Sequence, residues 1–333
     1  MSAAVARIAI GVAVACLLAG GVVFAATDGE SSAPGRATDS WAALAPSPLE
    51  RTEVGAARIR DRIYVVGGFE SSGGTTGEMV AYDVSEDRWL RRAILPIAVN
   101  HPGVTALGRK LYLLGGNRPH ADGTEEQSAR LYAYSPRRNR WLRLRDAPTG
   151  RAALALVAID GRLYAVGGAS ATSGQVRKLE IYDPKRNRWR RGAPMPTGRN
   201  HIAAGVLVDR EMIVTGGRPG PIHGNLDTVE SYDVAKDRWR TLPPLRTARS
   251  GHAAVSQGGL VVVLGGEELD GGTTIEEVEA FGVDGRVWRP LPEMVTPRHG
   301  VGAAELGKRV FALEGGPQPG LSYSGALEYL DVP

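Results

Sequence analysis

The 333-residue sequence predicts an all-β fold, a six-bladed β-propeller, and two regularities carry that prediction. Glycine doublets recur along the chain in steps of 48, 52, 49, 49 and 50 residues, and a tryptophan follows each of the first five doublets after 22 to 26 residues. The doublets lie at residues 67–68, 115–116, 167–168, 216–217, 265–266 and 315–316. A repeat of this length is typical of architectures in which one supersecondary unit stacks against the next.

One repeat, between Arg199 and Trp239, indicates what the unit is. Four short runs rich in β-branched and apolar residues are separated by turn residues, which predicts four antiparallel strands. The predicted strands are Val206–Val208, Met212–Thr215, Val229–Tyr232 and Arg238–Leu242, with the Gly216–Gly217 doublet after the second. Because an isolated four-stranded sheet leaves both faces unpacked, such units are expected to stack in a ring as propeller blades.

The two ends of the chain predict how the ring closes. The sixth doublet is followed by a third strand at Leu327–Leu330, but by no tryptophan. The missing fourth strand is supplied by Ser40–Leu44, which contains Trp41. We therefore expect the N-terminal strand to complete the last blade, which removes two open sheet edges.

These motifs resemble those of the kelch-repeat family. The resemblance extends from about residue 39 to the end of the chain. It depends on the glycine doublets, the spaced tryptophans, an arginine before each first strand and the pairs Tyr82-Asp83, Tyr182-Asp183 and Tyr232-Asp233. The second repeat departs from the pattern, since we place Asn100 where the other repeats have arginine. The resemblance implies the same six-bladed propeller.

The first 38 residues are expected to lie outside the propeller. Residues 1–26 contain an uncharged apolar run from Ile8 to Ala26, with Arg7 as the single charge before it. This pattern is typical of a cleaved signal peptide or of an uncleaved membrane anchor, and both place the propeller of residues 39–333 outside the cytoplasm, secreted, periplasmic or anchored. Residues 27–38 are polar and are interpreted as a flexible linker.

The cysteine content excludes one activity that the resemblance brings to mind. Some propellers with this repeat are copper-radical galactose oxidases, which need a crosslinked cysteine. Cys16 is the one cysteine of the sequence and lies in the leader. No zinc-type Cys/His spacing and no phosphate-binding loop occurs either, so we expect neither a cofactor nor a metal.

The candidate ligand site is the face of the propeller on which the first strands begin. We expect arginine side chains and two histidines to ring the channel mouth there. The candidate binding residues are Arg51, Asn100, Arg151, Arg199, Arg249, Arg298, His252 and His299, with His101 and His201 nearby. Converging guanidiniums favour a carboxylate or phosphate ligand.

The recurrence of the arginine leaves a second interpretation open. In kelch adaptors of the ubiquitin system, arginine at this repeat position holds acidic peptide segments, so the resemblance implies a protein partner or a small anionic ligand. An arginine in every repeat is equally consistent with a structural residue that caps loops or pairs with a neighbouring carboxylate.

The opposite face carries basic turns in the second and third blades, at Ser135–Arg140 and Asp183–Arg188. Solvated turns account for them, although attraction to an anionic surface is the alternative. The net charge of +4 and the absence of interleaved aromatic residues do not support nucleic-acid binding, and a membrane contact is expected only through an uncleaved N-terminal segment.

Two classes of function remain open. The first is a binding or interaction domain, which we favour, for a protein or a carbohydrate-like ligand at the arginine-rich face. The second is a sugar-modifying enzyme, because bacterial six-bladed kelch proteins include a sialic-acid mutarotase. Mutarotation needs an acid and a base, for which Glu53, His252 and His299 are the candidates near the mouth. No motif assigns catalytic residues.

Overall fold

The computed structural model describes residues 40–172, 174–207, 210–220, 224–282 and 284–332. The leader and linker predicted over residues 1–38 lie outside this range. The described residues form strands and turns but no helix, and so include no helix of the length and apolar character that a membrane crossing requires.

Six four-stranded antiparallel sheets form the blades, which confirms the predicted six-bladed propeller. The first three blades contain β3 (Gly55–Ile59), β4 (Arg62–Val66), β6 (Met79–Asp83) and β7 (Arg88–Arg91); β8 (Gly103–Leu107), β9 (Lys110–Leu114), β12 (Leu131–Ser135) and β13 (Arg140–Arg143); and β14 (Ala155–Ile159), β15 (Arg162–Val166), β18 (Leu179–Asp183) and β19 (Arg188–Arg191). The last three contain β20 (Ala203–Leu207), β21 (Glu211–Thr215), β22 (Val229–Asp233) and β23 (Arg238–Leu242); β24 (Ala253–Gln257), β25 (Leu260–Leu264), β28 (Val278–Gly282) and β29 (Trp288–Leu291); and β30 (Gly302–Leu306), β31 (Arg309–Leu313), β32 (Leu327–Asp331) and β1 (Ala42–Ala43).

The order of strands in the last blade is β1-β32-β31-β30, so the N-terminal strand closes the ring as predicted. Ala42 pairs with Tyr329 and Ala43 with Glu328, and the N–H of Leu44 donates to the carbonyl of Leu327 at 2.9 Å.

Short ladders extend some blades at one face. They are formed by β2 (Arg51–Thr52) with β5 (Phe69–Glu70), β10 (Asn117–Pro119) with β11 (Glu125–Gln127), β16 (Ala169–Ser170) with β17 (Gly174–Gln175), and β26 (Glu267–Glu268) with β27 (Thr273–Thr274). The last three are hairpins that follow the glycine doublets of their repeats.

The innermost strands line a channel and begin earlier than their apolar runs suggest. In the fourth blade the ladder starts at Ala203, three residues before the predicted Val206. The sequence signal is weak there because the first positions are alanine and glycine. Close packing explains the small residues, since a Cβ on Gly205 would lie 2.9 Å from the methyl groups of Val261.

The hydrophobic core is divided between the blades. Among the described residues, six clusters each join side chains of two neighbouring blades, including the last with the first. A blade therefore buries its faces only against its neighbours, which is the physical reason why the ring must close.

The repeating tryptophans add a directional contact to this packing. Each indole Nε1–H donates, at 2.8 to 2.9 Å, to a backbone carbonyl of the segment that leaves the preceding blade and enters the tryptophan's own blade. The pairs are Trp41 with Pro292, Trp89 with Ala45, Trp141 with Ala93, Trp189 with Arg145, Trp239 with Ala193 and Trp288 with Pro243. These six bonds form an outer circle of contacts between successive repeats.

Candidate functional site

The arginines that precede the first strands are buried, and each has a glutamate partner. All five are at most 1 % exposed. The pairs are Arg51 with Glu314, Arg151 with Glu180, Arg199 with Glu230, Arg249 with Glu279 and Arg298 with Glu328. Four of the glutamates lie on the third strand of the same blade.

Arg249 shows how these guanidiniums are bound, although the Nε atoms of Arg151 and Arg199 are buried without a hydrogen-bond partner. Nη1 donates to the carbonyls of Gly265 and Glu277 at 3.0 and 2.8 Å, Nη2 donates to Glu279 at 2.9 Å, and Nε donates to the carbonyl of Thr247 at 3.2 Å. The arginine thus ties the glycine doublet and the third strand to the start of the first strand. The prediction of guanidiniums open to an anionic ligand at the mouth is therefore corrected, because these charges are already neutralised inside the blades.

The second blade lacks this pair, and the residue at the arginine position is Val99 rather than Asn100. The carbonyl of Val99 accepts a hydrogen bond from Gly68, as that of Arg151 does from Gly116. Asn100 lies one position later, equivalent to Asn200, and its place in the predicted arginine set is corrected accordingly. The glutamate position of this blade holds Tyr132, so both partners are missing together.

The first blade has the arginine but not the usual glutamate, because Val80 occupies that position. Arg51 instead reaches the last blade, where its Nε and Nη2 donate to the two carboxylate oxygens of Glu314 at 2.8 and 2.9 Å. Glu314 adopts a left-handed φ of 56° at the position of the first doublet glycine, since the next residue, Gly315, donates to the carbonyl of Arg51. The structural doublet of the sixth repeat is therefore Glu314-Gly315, one residue before the glycine doublet in the sequence.

A ring of backbone hydrogen bonds surrounds the channel at the end where the first strands begin. Its residues lie two positions after the arginine position of each blade. The ring residues, one from each blade, are Glu53, His101, Ala153, His201, Gly251 and Gly300. The N–H of each of the last five donates to the carbonyl of the preceding one at 2.7 to 3.1 Å, and the N–H of Val54 closes the circle on Gly300 at 3.2 Å. All six have a left-handed φ of 50 to 64°.

This conformation suits glycine and is unfavourable for residues with a Cβ. Two blades do use glycine, and one uses alanine. The side chains of Glu53, His101 and His201 are therefore not required by the fold. They converge at a cavity of about 80 Å³, which we call the ring pocket.

Asparagines hold both ring histidines in place. The Oδ1 of Asn100 lies 2.6 Å from Nδ1 of His101, and Asn200 makes the same contact with Nδ1 of His201. The Asn100 amide is itself fixed, because its Nδ2 donates to the hydroxyl of Thr75 at 2.8 Å. Each imidazole therefore donates its Nδ1–H to an asparagine, and Nε2 carries the lone pair.

The carboxylate of Glu53 lies between two imidazoles. Its Oε2 is 3.1 Å from Nε2 of His101, and its Oε1 accepts from Nδ1 of His299 at 3.2 Å. The same nitrogen of His299 is 3.5 Å from Oε2 of Glu267. His299, one of the predicted ligand residues, thus holds Glu53 from beside the ring pocket and does not line the cavity itself.

Arg218 completes the group from the loop after β21. Its Nη1 lies 3.2 Å from Oε1 of Glu267, and its Nη2 donates to Nε2 of His201 at 3.0 Å. The positive groups of the pocket are thus matched by Glu53 and Glu267, so its charges are balanced.

The pKa values of the four central groups move in opposite directions. Burial raises the pKa of the Glu53 carboxyl, but the surrounding histidines outweigh it and hold the pKa well below its usual range. Burial lowers the pKa of His101 and His201, which Glu53 offsets only in part. Burial also lowers the pKa of His299, but the hydrogen bond that it donates to Glu53 and the attraction of both carboxylates raise the pKa above its usual value.

His252 occupies a different environment. It follows ring residue Gly251, and its Nε2 lies 2.9 Å from the hydroxyl of Thr215. Burial, together with the charges of Arg249 and Arg199, lowers the pKa of its imidazole to about 3. The imidazole is therefore neutral, and His252, one of the predicted ligand residues, lines the ring pocket.

The other end of the channel is wider and simpler. A cavity of about 490 Å³ opens there, lined by aliphatic residues and by polar ones that include Thr105, Ser256 and the ion pair of Arg58 with Glu305 at 2.9 Å. The basic turns of the second and third blades are exposed on this face.

A family model described as the KLHDC2/KLHL20/DRC7 Kelch-repeats domain matches residues 101–316, more than half of the chain, and a second, described as the Kelch motif, matches residues 50–96. The chain belongs to the kelch-repeat family. Among solved structures, the kelch propeller reported as "Structure of YjhT" is similar with a TM-score of 0.73 and 17% identity, over 85% of this chain and 95% of that chain. No curated protein matches the sequence. At this identity the likeness concerns the fold.

Sequence reasoning found part of this kelch site. It placed Glu53, His299 and the ring histidines near the mouth. It missed Arg218, Glu267 and the two asparagines. A signal for the site was present, since the ring position changes from repeat to repeat while the arginine position is nearly constant.

Proposed function

We propose that this kelch propeller binds a small polar ligand, such as a sugar, and that a polar group of the ligand enters the ring pocket. The observation that carries the proposal is the presence of Glu53, His101 and His201 in a backbone conformation that favours glycine. Polar residues kept at strained positions, and brought together from three blades, are typical of binding sites.

The size of the pocket limits how the ligand is held. A space of about 80 Å³ admits one functional group rather than a whole sugar. The rest of the ligand would contact the hairpins of this face. Bridges from Asn100 to Asn117 and from Ser250 to Glu267 join two of these hairpins to residues beside the ring.

The charges of the pocket favour a ligand with both donors and acceptors. Arg218 and His299 are paired with Glu267 and Glu53, so the pocket does not present the uncompensated positive charge that an anion would require. The apolar leader in residues 1–26 supports a location outside the cytoplasm.

Calorimetric titration of the purified protein with neutral, amino and acidic sugars tests this function. We expect one class to bind and His201→Ala to abolish binding, whereas Arg186→Ala, in an exposed turn of the opposite face, should leave it unchanged. If no sugar binds, or if binding survives in His201→Ala, the ring pocket is not the site.

A sugar-modifying enzyme is the second candidate, and a specific contact favours it. Glu53 lies between His101 and His299, within hydrogen-bond distance of both, so a base and an acid adjoin the same pocket. The exchange rate between sugar anomers, followed by NMR, should then rise with the protein and fall to the background rate with Glu53→Gln. An unchanged rate with the wild-type protein would leave binding as the function.

A further inference from the structure

One carboxylate oxygen of Glu53 and one ring nitrogen each of His101 and His201 lie within 4.8 Å of one another. The three residues come from the first, second and fourth blades and meet only because the ring residues close a circle. Two imidazoles and a carboxylate form a ligand set that divalent transition metals, zinc in particular, accept.

The asparagines make the histidines suitable ligands. Metal-binding histidines usually donate their second N–H to a neighbouring acceptor, which fixes the ring and leaves the other nitrogen free to coordinate. Asn100 and Asn200 provide this acceptor for His101 and His201. The Asn200 amide nitrogen is in turn occupied by Gln175 and by the carbonyl of Gly220, which fixes its orientation.

This arrangement brings two acceptors together. With its proton on Nδ1, His101 directs the lone pair of Nε2 at Oε2 of Glu53, 3.1 Å away. Two lone pairs at that distance repel each other unless a cation lies between them. Either a proton or a metal ion can supply that positive charge.

We propose that Glu53, His101 and His201 bind a divalent transition metal ion of the zinc type at the ring pocket. The ion would take one carboxylate oxygen and two imidazole nitrogens, and its remaining position would face the cavity. Three protein ligands with one open position are the arrangement of metal sites that accept a further small ligand. The inference does not depend on the proposed sugar binding.

Arg218 competes with the metal in this arrangement. Its Nη2 donates to Nε2 of His201, so that hydrogen bond must break before His201 can coordinate. Its positive charge also repels a cation. Replacing it by a neutral residue should therefore strengthen metal binding.

The test is calorimetric titration of the tag-free, chelator-treated protein with Zn²⁺, combined with Co²⁺ absorption spectroscopy. We expect one equivalent to bind and Co²⁺ to show the intense visible bands of tetrahedral coordination. His101→Ala and His201→Ala should lose more affinity than the roughly 10- to 100-fold expected for Asn100→Ala, which removes only an orienting partner. Arg218→Gln should bind more tightly than the wild type.

His120→Ala is the matched control, because His120 is a half-buried histidine away from the ring, whose Nε2 lies 3.5 Å from the Glu126 carboxylate. It should bind Zn²⁺ like the wild type. Ala153 shows that alanine fits the ring conformation, and circular dichroism checks that each variant is folded. The proposal is overturned if the wild type binds no stoichiometric Zn²⁺, if His120→Ala abolishes binding, or if the ring variants bind as well as the wild type.

Discussion

The arginine position and the ring position lie two residues apart in each repeat, yet their side chains have opposite relations to the fold. The arginines recur in five blades, are buried, and are each neutralised by a glutamate. The ring residues differ from blade to blade, and Glu53, His101 and His201 direct polar atoms into a pocket.

This difference indicates how a repeat protein divides its residues between scaffold and site. A side chain that every blade needs for packing recurs with the period. A ligand site in the channel is shared by all the blades and needs each group only once, so its residues depart from the period. Recurrence therefore indicates structure, and departure from it indicates function.

The largest effect should come from breaking one buried pair. Arg199→Val places in the fourth blade the residue that the second blade has, and leaves Glu230 charged and buried. We expect the free energy of unfolding to fall by about 3–5 kcal/mol. Denaturant titration followed by tryptophan fluorescence measures the change.

Adding Glu230→Val should restore most of the lost stability, since Val80 is the first blade's residue at that position and an apolar pair can replace an ion pair. If the double variant is no more stable than Arg199→Val, the unpaired charge of Glu230 is not what destabilises the single variant.

A somewhat smaller loss is expected for Glu314→Gly, which gives the sixth blade the glycine that the other blades have. Relief of the left-handed strain opposes the loss of the partner of Arg51, so we expect a fall of about 2–4 kcal/mol. Val80→Glu, which supplies the carboxylate at the usual third-strand position, should recover stability when combined with it. If Glu314→Gly alone and Glu314→Gly combined with Val80→Glu have equal melting temperatures, a glutamate at position 80 does not replace Glu314 as the partner of Arg51.

His252 departs from the repeat at the position directly after the ring residue, where other blades have apolar residues such as Val54 and Val301. Its pKa falls from 6.5 to about 3 on folding, so the unfolded chain binds the proton more readily. Stability should therefore decline as the pH falls from about 6.5 towards 3, by up to about 1.4 kcal/mol per pH unit.

His252→Val should lack this component. The difference in unfolding free energy between the wild type and the variant, measured at pH 7 and pH 5, should shift in favour of the variant at the lower pH. A difference that stays constant would mean that His252 does not titrate with a lowered pKa.

The smallest effect on stability is expected in the ring itself. His201→Ala gives the fourth blade the residue of the third, Ala153, and removes a side chain that the fold does not need. The free energy of unfolding should change by less than about 1 kcal/mol, so the melting temperature should change little. A large drop would assign His201 to the scaffold and weaken the distinction between the two positions.

Much of the fold was predictable because it depends on local patterns. The doublet period, the tryptophan spacing and Trp41 at the N-terminal end were sufficient to predict six blades and their closure. The ion pairs were not, because the partner of Arg151 lies 29 residues away and a guanidinium looks the same in sequence whether buried or exposed.

Small shifts of register also escaped sequence reasoning. Asn100 was assigned to the arginine position because a polar residue matched better than Val99, and Gly315-Gly316 hid the role of Glu314. The ring pocket was predicted only in part. Glu53 and His299 follow from their place before the first strands, but Arg218 and Glu267 reach the pocket from loops whose path the sequence does not specify.

The two circles of hydrogen bonds give the disc the mechanics of a wheel. The ring residues act as a hub of backbone bonds at the axis, and the tryptophans act as a rim that fastens each blade to the next. Tilting one blade would break a bond at both radii and disturb its neighbours in turn. The blades should therefore move as a single rigid body. The flexibility needed to admit a ligand is then left to the hairpins above the ring residues.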